Sequence, residues 1–199
     1  MLDRRTFLAG ALASGLLAGC SSLGDEAQND PSNWSSAPAS STSGRASSTP
    51  ALPSRLSIPS ISLDDPVVAL GLKSNGRLEP PAGKVQWYDA TVVPGQVGIS
   101  VIAGHVSWDG PDVFVRLKDV ATGERYAITY ADGHRENFEI TRTETVAKTA
   151  LQHRQDVWGK GGTDRVVVLV TCDDRSKLVG QHYENNFVVW SKPVTASSQ

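Results

Sequence analysis

Short runs of alternating apolar and polar residues recur from about residue 55 to residue 195. A period of two is typical of half-buried strands, and the continuously apolar run at 166–170 indicates a strand with both faces buried. The candidate strands are 56–61, 66–70, 97–103, 126–130, 138–140, 166–170 and 187–190, and short helices are expected near 112–118 and 148–153. Many short strands separated by turns predict a mostly β domain over 55–195, either a barrel or a sandwich.

The first 19 residues have the pattern of a signal peptide. Arg4 and Arg5 precede an apolar run, 7–18, that is short for a membrane-spanning helix. The arginine pair resembles a twin-arginine export signal, although two arginines also occur in ordinary signal peptides. The run ends Leu17-Ala18-Gly19-Cys20, which resembles the bacterial lipobox. We therefore expect Cys20 to be lipidated and to become the first mature residue, the alternative being an incidental cysteine beside a cleavage site.

Residues 20–54 are rich in serine and proline, with eleven Ser and four Pro. Trp34 stands alone among side chains too small or too polar to form a core. Such a composition cannot bury enough apolar surface to offset the entropy of ordering. We expect a disordered linker that holds the following domain close to the membrane.

Composition excludes several classes of protein. The 199 residues carry a formal net charge of -2, which argues against nucleic acid as a partner. Two cysteines are too few for a disulfide framework or for a zinc site with four thiolates. His153 and His182 have no residues around them at the spacing of metal ligands. We expect no metal and no cofactor.

Two residues with chemical potential follow predicted core strands. Cys172 comes after the run 166–170, and His105 comes after 97–103. A cysteine–histidine pair suits nucleophilic catalysis, because the thiolate attacks and the imidazole transfers protons. The alternative is that Cys172 is a small buried hydrophobe. Asp173 and Asp174 oppose a thiolate, whereas Arg175 favours one, and the sequence does not decide the balance.

These segments resemble the sortase family. Ala103-Gly104-His105 and Val170-Thr171-Cys172 match the family's histidine and Thr-x-Cys motifs in order and spacing. The predicted first strand, 56–61, resembles the first strand of the family. A subgroup of sortases found in actinobacteria, called class F, is resembled by four further segments: 69–72, 78–81, 86–88 and 183–189. The resemblance implies a closed eight-stranded β-barrel with short helices.

The same resemblance implies a reaction and its partners. Cys172 would attack an LPxTG-like sorting signal of a secreted protein, and a cell-wall or protein amine would resolve the thioester. His105 would act as the acid and base, and Thr171 would line the peptide groove. The lipobox resemblance adds an expectation that departs from the sortase family, whose members are usually held by an N-terminal spanning helix. The protein would be extracytoplasmic and attached to the cell membrane through lipid on Cys20.

One family feature is missing. Sortases carry an arginine early in the strand that follows the cysteine loop, but this window reads Tyr183-Glu184-Asn185-Asn186. Asn185, Asn186 or Arg175 are the candidates to stabilise the oxyanion or position the substrate. The alternative function is a catalytically weak or inactive lipid-anchored barrel that binds peptides.

Overall fold

The computed structural model describes residues 49–195. The predicted signal segment, Cys20 and most of the predicted linker lie outside the described residues. The first strand begins at Pro53, two residues before the predicted start of the domain.

Eight strands close into a barrel, which confirms the predicted fold class. Their bounds are β1 Pro53–Ile58, β2 Leu63–Leu70, β3 Val85–Tyr88, β4 Gly98–Ala103, β5 Arg125–Tyr130, β6 Arg135–Ala147, β7 Arg165–Cys172 and, after a hairpin of β8 Leu178–Val179 and β9 His182–Tyr183, β10 Asn185–Pro193. The barrel order is β1-β2-β3-β4-β7-β10-β6-β5. The pairs β2–β3 and β4–β7 are parallel, and the others are antiparallel.

Helical structure is limited to short pieces in the described residues. These are α1 Lys148–Leu151, α2 Gln155–Trp158, and 3-10 turns at Pro59–Ile61 and Leu117–Asp119. The short helix predicted near 112–118 is confirmed only in part, because the segment forms successive i to i+3 turns, of which Leu117–Asp119 is a 3-10 helix. Phe114 and Leu117 are both fully buried there, and their spacing of three suits a single tight turn packed on the core. Strand β3 was not predicted, since the strand is only four residues long and its residues do not alternate between buried and exposed.

Strand β7 is buried on both faces, as its apolar run predicted. Val167 and Leu169 belong to the cluster inside the barrel. Val168 and Val170 belong to a second cluster on the outer face, where Leu151 of α1 and residues of α2 cover them. Because strand side chains alternate, Cys172 continues the outer face of β7.

Gly104 joins β4 to His105 at a point of close packing. A Cβ at this position would lie 2.8 Å from two ring carbons of Phe114 and 2.9 Å from Cγ2 of Val113. Phe114 is fully buried, so its ring has little space into which to move. Only glycine fits between the strand end and the turn that packs beneath it.

We expect Gly104→Ala to destabilise the domain by about 1–3 kcal/mol through overpacking. Gly71→Ala is the matched control, because its Cβ would be 3.6 Å from its nearest neighbour, an ordinary contact. Urea unfolding of both variants measures the difference. Equal stability of the two variants would show that Phe114 moves aside freely.

Candidate active site

The paired strands β4 and β7 bring His105 and Cys172 to the same end of the barrel. Ala103, the last residue of β4, pairs with Val170 of β7. Beyond that pair, the N–H of Gly104 still donates to the carbonyl of Val170 at 3.3 Å. His105, two residues after Ala103, and Cys172, two residues after Val170, therefore emerge at the same end of the two adjacent segments. Both are half-buried, and both line one cleft.

Thr171 links these two strand ends. Its side chain is 3% exposed, and its hydroxyl donates to the carbonyl of Gly104 at 2.9 Å. The bond joins the residue before Cys172 to the residue before His105. Thr171 therefore borders the cleft as a buried tie between the strands that carry the two candidate catalytic residues.

Asn186 lies next to Cys172 on the following strand. The two residues pair across β10 and β7, and Asn186 lines the cleft. Its side-chain amide donates to the carbonyl of Thr171 at 2.9 Å. Asn185 is absent from the cleft lining, and its carbonyl accepts the N–H of Asp173 at 2.9 Å. The backbone N–H directly after Cys172 is thus already engaged.

The cleft has a volume of about 1420 Å³ and four walls. One wall is the barrel end that carries His105 and Cys172. The others are the loop at 71–84, the start of α1 with the end of α2, and the β8–β9 hairpin. Residues that line the cleft without a role predicted from the sequence include Lys73, Leu78, Pro80, Trp108, Lys148, Trp158 and His182.

The loop at 71–84 contacts His105 directly. The carbonyl of buried Pro80 accepts a hydrogen bond from Nε2 of His105 at 2.7 Å. The buried Gln86 amide holds the start of the loop by donating to the carbonyls of Leu70 and Gly71, at 2.9 and 3.1 Å. When the His105 imidazole is neutral, its hydrogen bond to Pro80 places the proton on Nε2 and leaves Nδ1 free to exchange protons.

Trp108 packs beside the imidazole of His105. The ring centroids are 4.9 Å apart with an interplanar angle of 45°, yet Trp108 is 68% exposed. The tryptophan restrains the histidine ring and presents a large apolar surface to the cleft. A tryptophan in a polar, glycine-containing loop three residues after His105 was the available sequence signal, and it was missed.

The carboxylates that follow Cys172 are both paired. Asp173 is 3% exposed and accepts two bonds from the Arg175 guanidinium, at 2.8 and 3.0 Å, and one from Thr145. Asp174 accepts a bond from Lys118 at 2.6 Å. Because each charge has a cationic partner, the opposition of these carboxylates to a thiolate at Cys172 is offset.

Arg175 is committed to Asp173 and is not part of the cleft lining. Its guanidinium also lies over the Phe187 ring, 5.1 Å from the centroid. The Arg175 bonds, followed by the Thr145 hydroxyl, lower the pKa of Asp173 to about 2 despite its burial.

The depressed pKa of Asp173 predicts an acid-dependent loss of stability. A lowered folded-state pKa contributes stability above the unfolded pKa near 4, and this contribution is lost as the pH falls towards about 2. We expect a loss of at most about 2 kcal/mol, since Arg175 is half exposed. Unfolding free energies measured from pH 5 to pH 2 test this.

Two variants complete the acid-stability experiment. Asp173→Asn should be less stable at neutral pH and should lack this part of the pH dependence. Asp109→Asn, at an exposed loop position, should keep the wild-type profile. An unchanged profile in Asp173→Asn would mean that another group titrates.

Residues 49–195 contain neither a metal-binding cluster nor a helix that could span a membrane. No group of three or more His, Cys, Asp or Glu side chains could hold a metal ion in this part of the chain. No helix within it has the length and hydropathy needed to cross a membrane.

Solved structures to which this chain is similar include sortases. Sortase C1 of Streptococcus agalactiae is 16% identical, with a TM-score of 0.56 over 72% of this chain and 68% of that one. Sortase A of Corynebacterium diphtheriae is 18% identical, with a TM-score of 0.56 over 76% and 64%. Sortase C-1 of Actinomyces oris is 22% identical, with a TM-score of 0.55 over 72% of each chain. At these identities the likeness shows the fold.

The family comparison covers well over half of the sequence. The sortase domain model matches residues 56–194, which include the second half of β1, the other seven barrel strands, and both His105 and Cys172. The comparison with curated proteins finds no match. On the match to the family model, the chain belongs to the sortase family.

Proposed function

We propose that this protein is a cysteine transpeptidase that cleaves an LPxTG-like sorting signal and joins it to an amine. Members of the sortase family are cysteine transpeptidases that act on sorting-signal proteins and amine acceptors at the cell surface. The observation that carries the proposal is the placement of His105 and Cys172 side by side, in one cleft, on paired core strands.

The reaction needs two acyl transfers. The Cys172 thiolate attacks the Thr–Gly carbonyl carbon, and the amide C–N bond breaks to give a thioester. His105 gives a proton to the leaving amine. The acceptor amine then attacks the thioester and loses a proton to His105, the C–S bond breaks, and Cys172 is released as the thiolate with which the cycle began. Pro80 supports this role of His105, because it holds Nε2 and leaves Nδ1 available.

The finer resemblance to actinobacterial class F sortases is part of the proposal. Its support is that the segments carrying the resemblance surround the cleft. Residues 78–81 belong to the loop over His105, and Tyr88, Tyr183 and Asn186 are also cleft residues. These positions are where substrate preference would be set.

A second candidate function is a peptide-binding barrel with weak or no catalysis. This function is favoured because the side chains near Cys172 that could stabilise an oxyanion are either already hydrogen-bonded or outside the cleft lining. The Asn186 amide is bonded to a backbone carbonyl, Arg175 is bonded to Asp173, and Asn185 is absent from the cleft lining. Losing one oxyanion donor costs on the order of 10²–10³ in rate.

Acylation of Cys172 distinguishes the two functions. We expect the purified protein to form a thioester with an LPxTG-type peptide, detected by mass spectrometry, and to transfer the peptide to an added amine. Cys172→Ala should abolish both steps while unfolding as the wild type does. His105→Ala should slow turnover by about 10²–10⁴.

His134→Ala is the matched control for His105→Ala. His134 is exposed and lines a different cavity, together with Arg165, the residue that begins β7. Its removal should leave turnover unchanged. Peptide binding without any adduct in the wild type would favour the second function, and residual transfer in Cys172→Ala would remove Cys172 from the mechanism.

We also propose that lipid on Cys20 holds the protein at the membrane and that residues 20–48 form the tether. The first described residues, 49–51, line the same cavity as Arg165 at the start of β7, whereas Cys172 ends that strand. Seven residue steps of strand separate these positions by roughly 23 Å. The tether thus joins the barrel at the end remote from the cleft.

Fractionation tests this anchor. Cys20→Ala should move the protein from the membrane fraction to the soluble fraction, because the acyl chains supply the membrane affinity. Mass spectrometry of the mature N-terminus should show acylated Cys20. An unmodified N-terminus downstream of Cys20 would contradict the proposal.

A further inference from the structure

Lys148 lies on the wall of the cleft, beyond the strand that flanks Cys172. Cys172 pairs with Asn186 of β10, and Asn186 pairs with Val146 of β6. Ala147 has an extended backbone, with φ -58° and ψ 137°, so the Lys148 side chain returns to the face of Val146. Two strand spacings and the two-residue offset along β6 separate the Cα atoms of Lys148 and Cys172 by about 12 Å, about half of which an extended lysine side chain spans. Lys148 accordingly borders the same cleft as Cys172.

The position of Lys148 is fixed, but its charge is unpaired. Its backbone N–H donates to the carbonyl of Glu184 at 3.1 Å, which ties it to the chain entering β10. The residue is half-buried. Within 49–195, no carboxylate lies within the 4.0 Å that defines an ion pair with its ammonium. An ammonium so placed is available to a ligand in the cleft.

The other cationic side chains near the cleft are less suitable. Arg77 is 3.5 Å from Glu79 and lies in the loop at 71–84. Lys73 is exposed in the same loop. Arg175 is bound to Asp173. Lys148 alone among these four combines a cleft position, a hydrogen bond to the barrel frame and an unpaired charge.

The proposed reaction requires a donor at this place. Attack by Cys172 turns the substrate carbonyl oxygen into an oxyanion, which hydrogen-bond donors must stabilise. The N–H of Asp173 and an amide N–H of Asn186 already serve protein carbonyls. We infer that the Lys148 ammonium donates a charge-assisted hydrogen bond to the carbonyl oxygen that Cys172 attacks. This inference rests on the proposed transpeptidase function.

The experiment compares two reactions of the same thiol. Acylation of Cys172 by an LPxTG-type peptide passes through an oxyanion, whereas alkylation by iodoacetamide displaces iodide and forms none. An oxyanion donor therefore affects only acylation. Single-turnover acylation and alkylation rates are measured on the purified protein and its variants.

Lys148→Met should slow acylation by about 10²–10³ and leave alkylation unchanged. Lys148→Gln should show a similar loss, and Lys148→Arg should recover most of the rate because it restores a cationic donor. Lys192→Met is the matched control. Lys192 is exposed, absent from the cleft lining and six residues beyond Asn186 on β10, so both of its rates should equal those of the wild type.

Each contrary result has a separate meaning. Normal acylation in Lys148→Met overturns the inference and leaves the transpeptidase proposal intact. Slower alkylation in Lys148→Met also overturns it, because Lys148 would then act on the thiol or the fold. A wild-type protein that alkylates at Cys172 but is never acylated overturns the proposed function, and the inference with it.

Discussion

The parallel pairing of β4 with β7 is the constraint on which the site depends. His105 and Cys172 are 67 residues apart in the chain, and only the register of these two strands brings them together. That register is held by burial, since β4 is buried along its whole length and β7 along most of it. A slip of one residue would turn Cys172 into the barrel and Thr171 outwards. The hydrophobic core therefore fixes the catalytic geometry.

The loop after Cys172 resolves an electrostatic conflict. Two adjacent carboxylates would disfavour a thiolate, but Asp173 is bound by Arg175 and Thr145, and Asp174 is bound by Lys118. The same pairing restricts Arg175. Moving its guanidinium into the cleft would leave the buried Asp173 carboxylate without its cationic partner, at a cost of up to about 2 kcal/mol because Arg175 is half exposed. A cationic side chain outside this pair can serve the cleft without the energetic cost of separating Arg175 from Asp173.

Most strands could be predicted from the sequence. The barrel buries one or both faces of each strand, so apolar residues either alternate with polar ones or form a continuous run. Strand β3 was not predicted, since all but the last of its four residues are buried and burial does not alternate along it. The short helix expected near 112–118 forms only as tight turns that end in a 3-10 helix, because burial of Phe114 and Leu117 favours tight turns over a regular α-helix. His105 and Cys172 were identifiable, because each follows a predicted core strand.

The remaining cleft residues could not be found in this way. Pro80, Trp108 and Lys148 gain their roles from contacts between segments distant in the chain, and no local period marks them. Their distribution shows how the site divides its tasks. The residues proposed to make and break bonds stand at strand ends, where packing fixes their positions. The surface that meets a substrate comes largely from the loops, which change in sequence at little cost to the core. The bond from His105 to Pro80 joins the two parts, because a change in the loop's path alters the hydrogen bond of the candidate catalytic base.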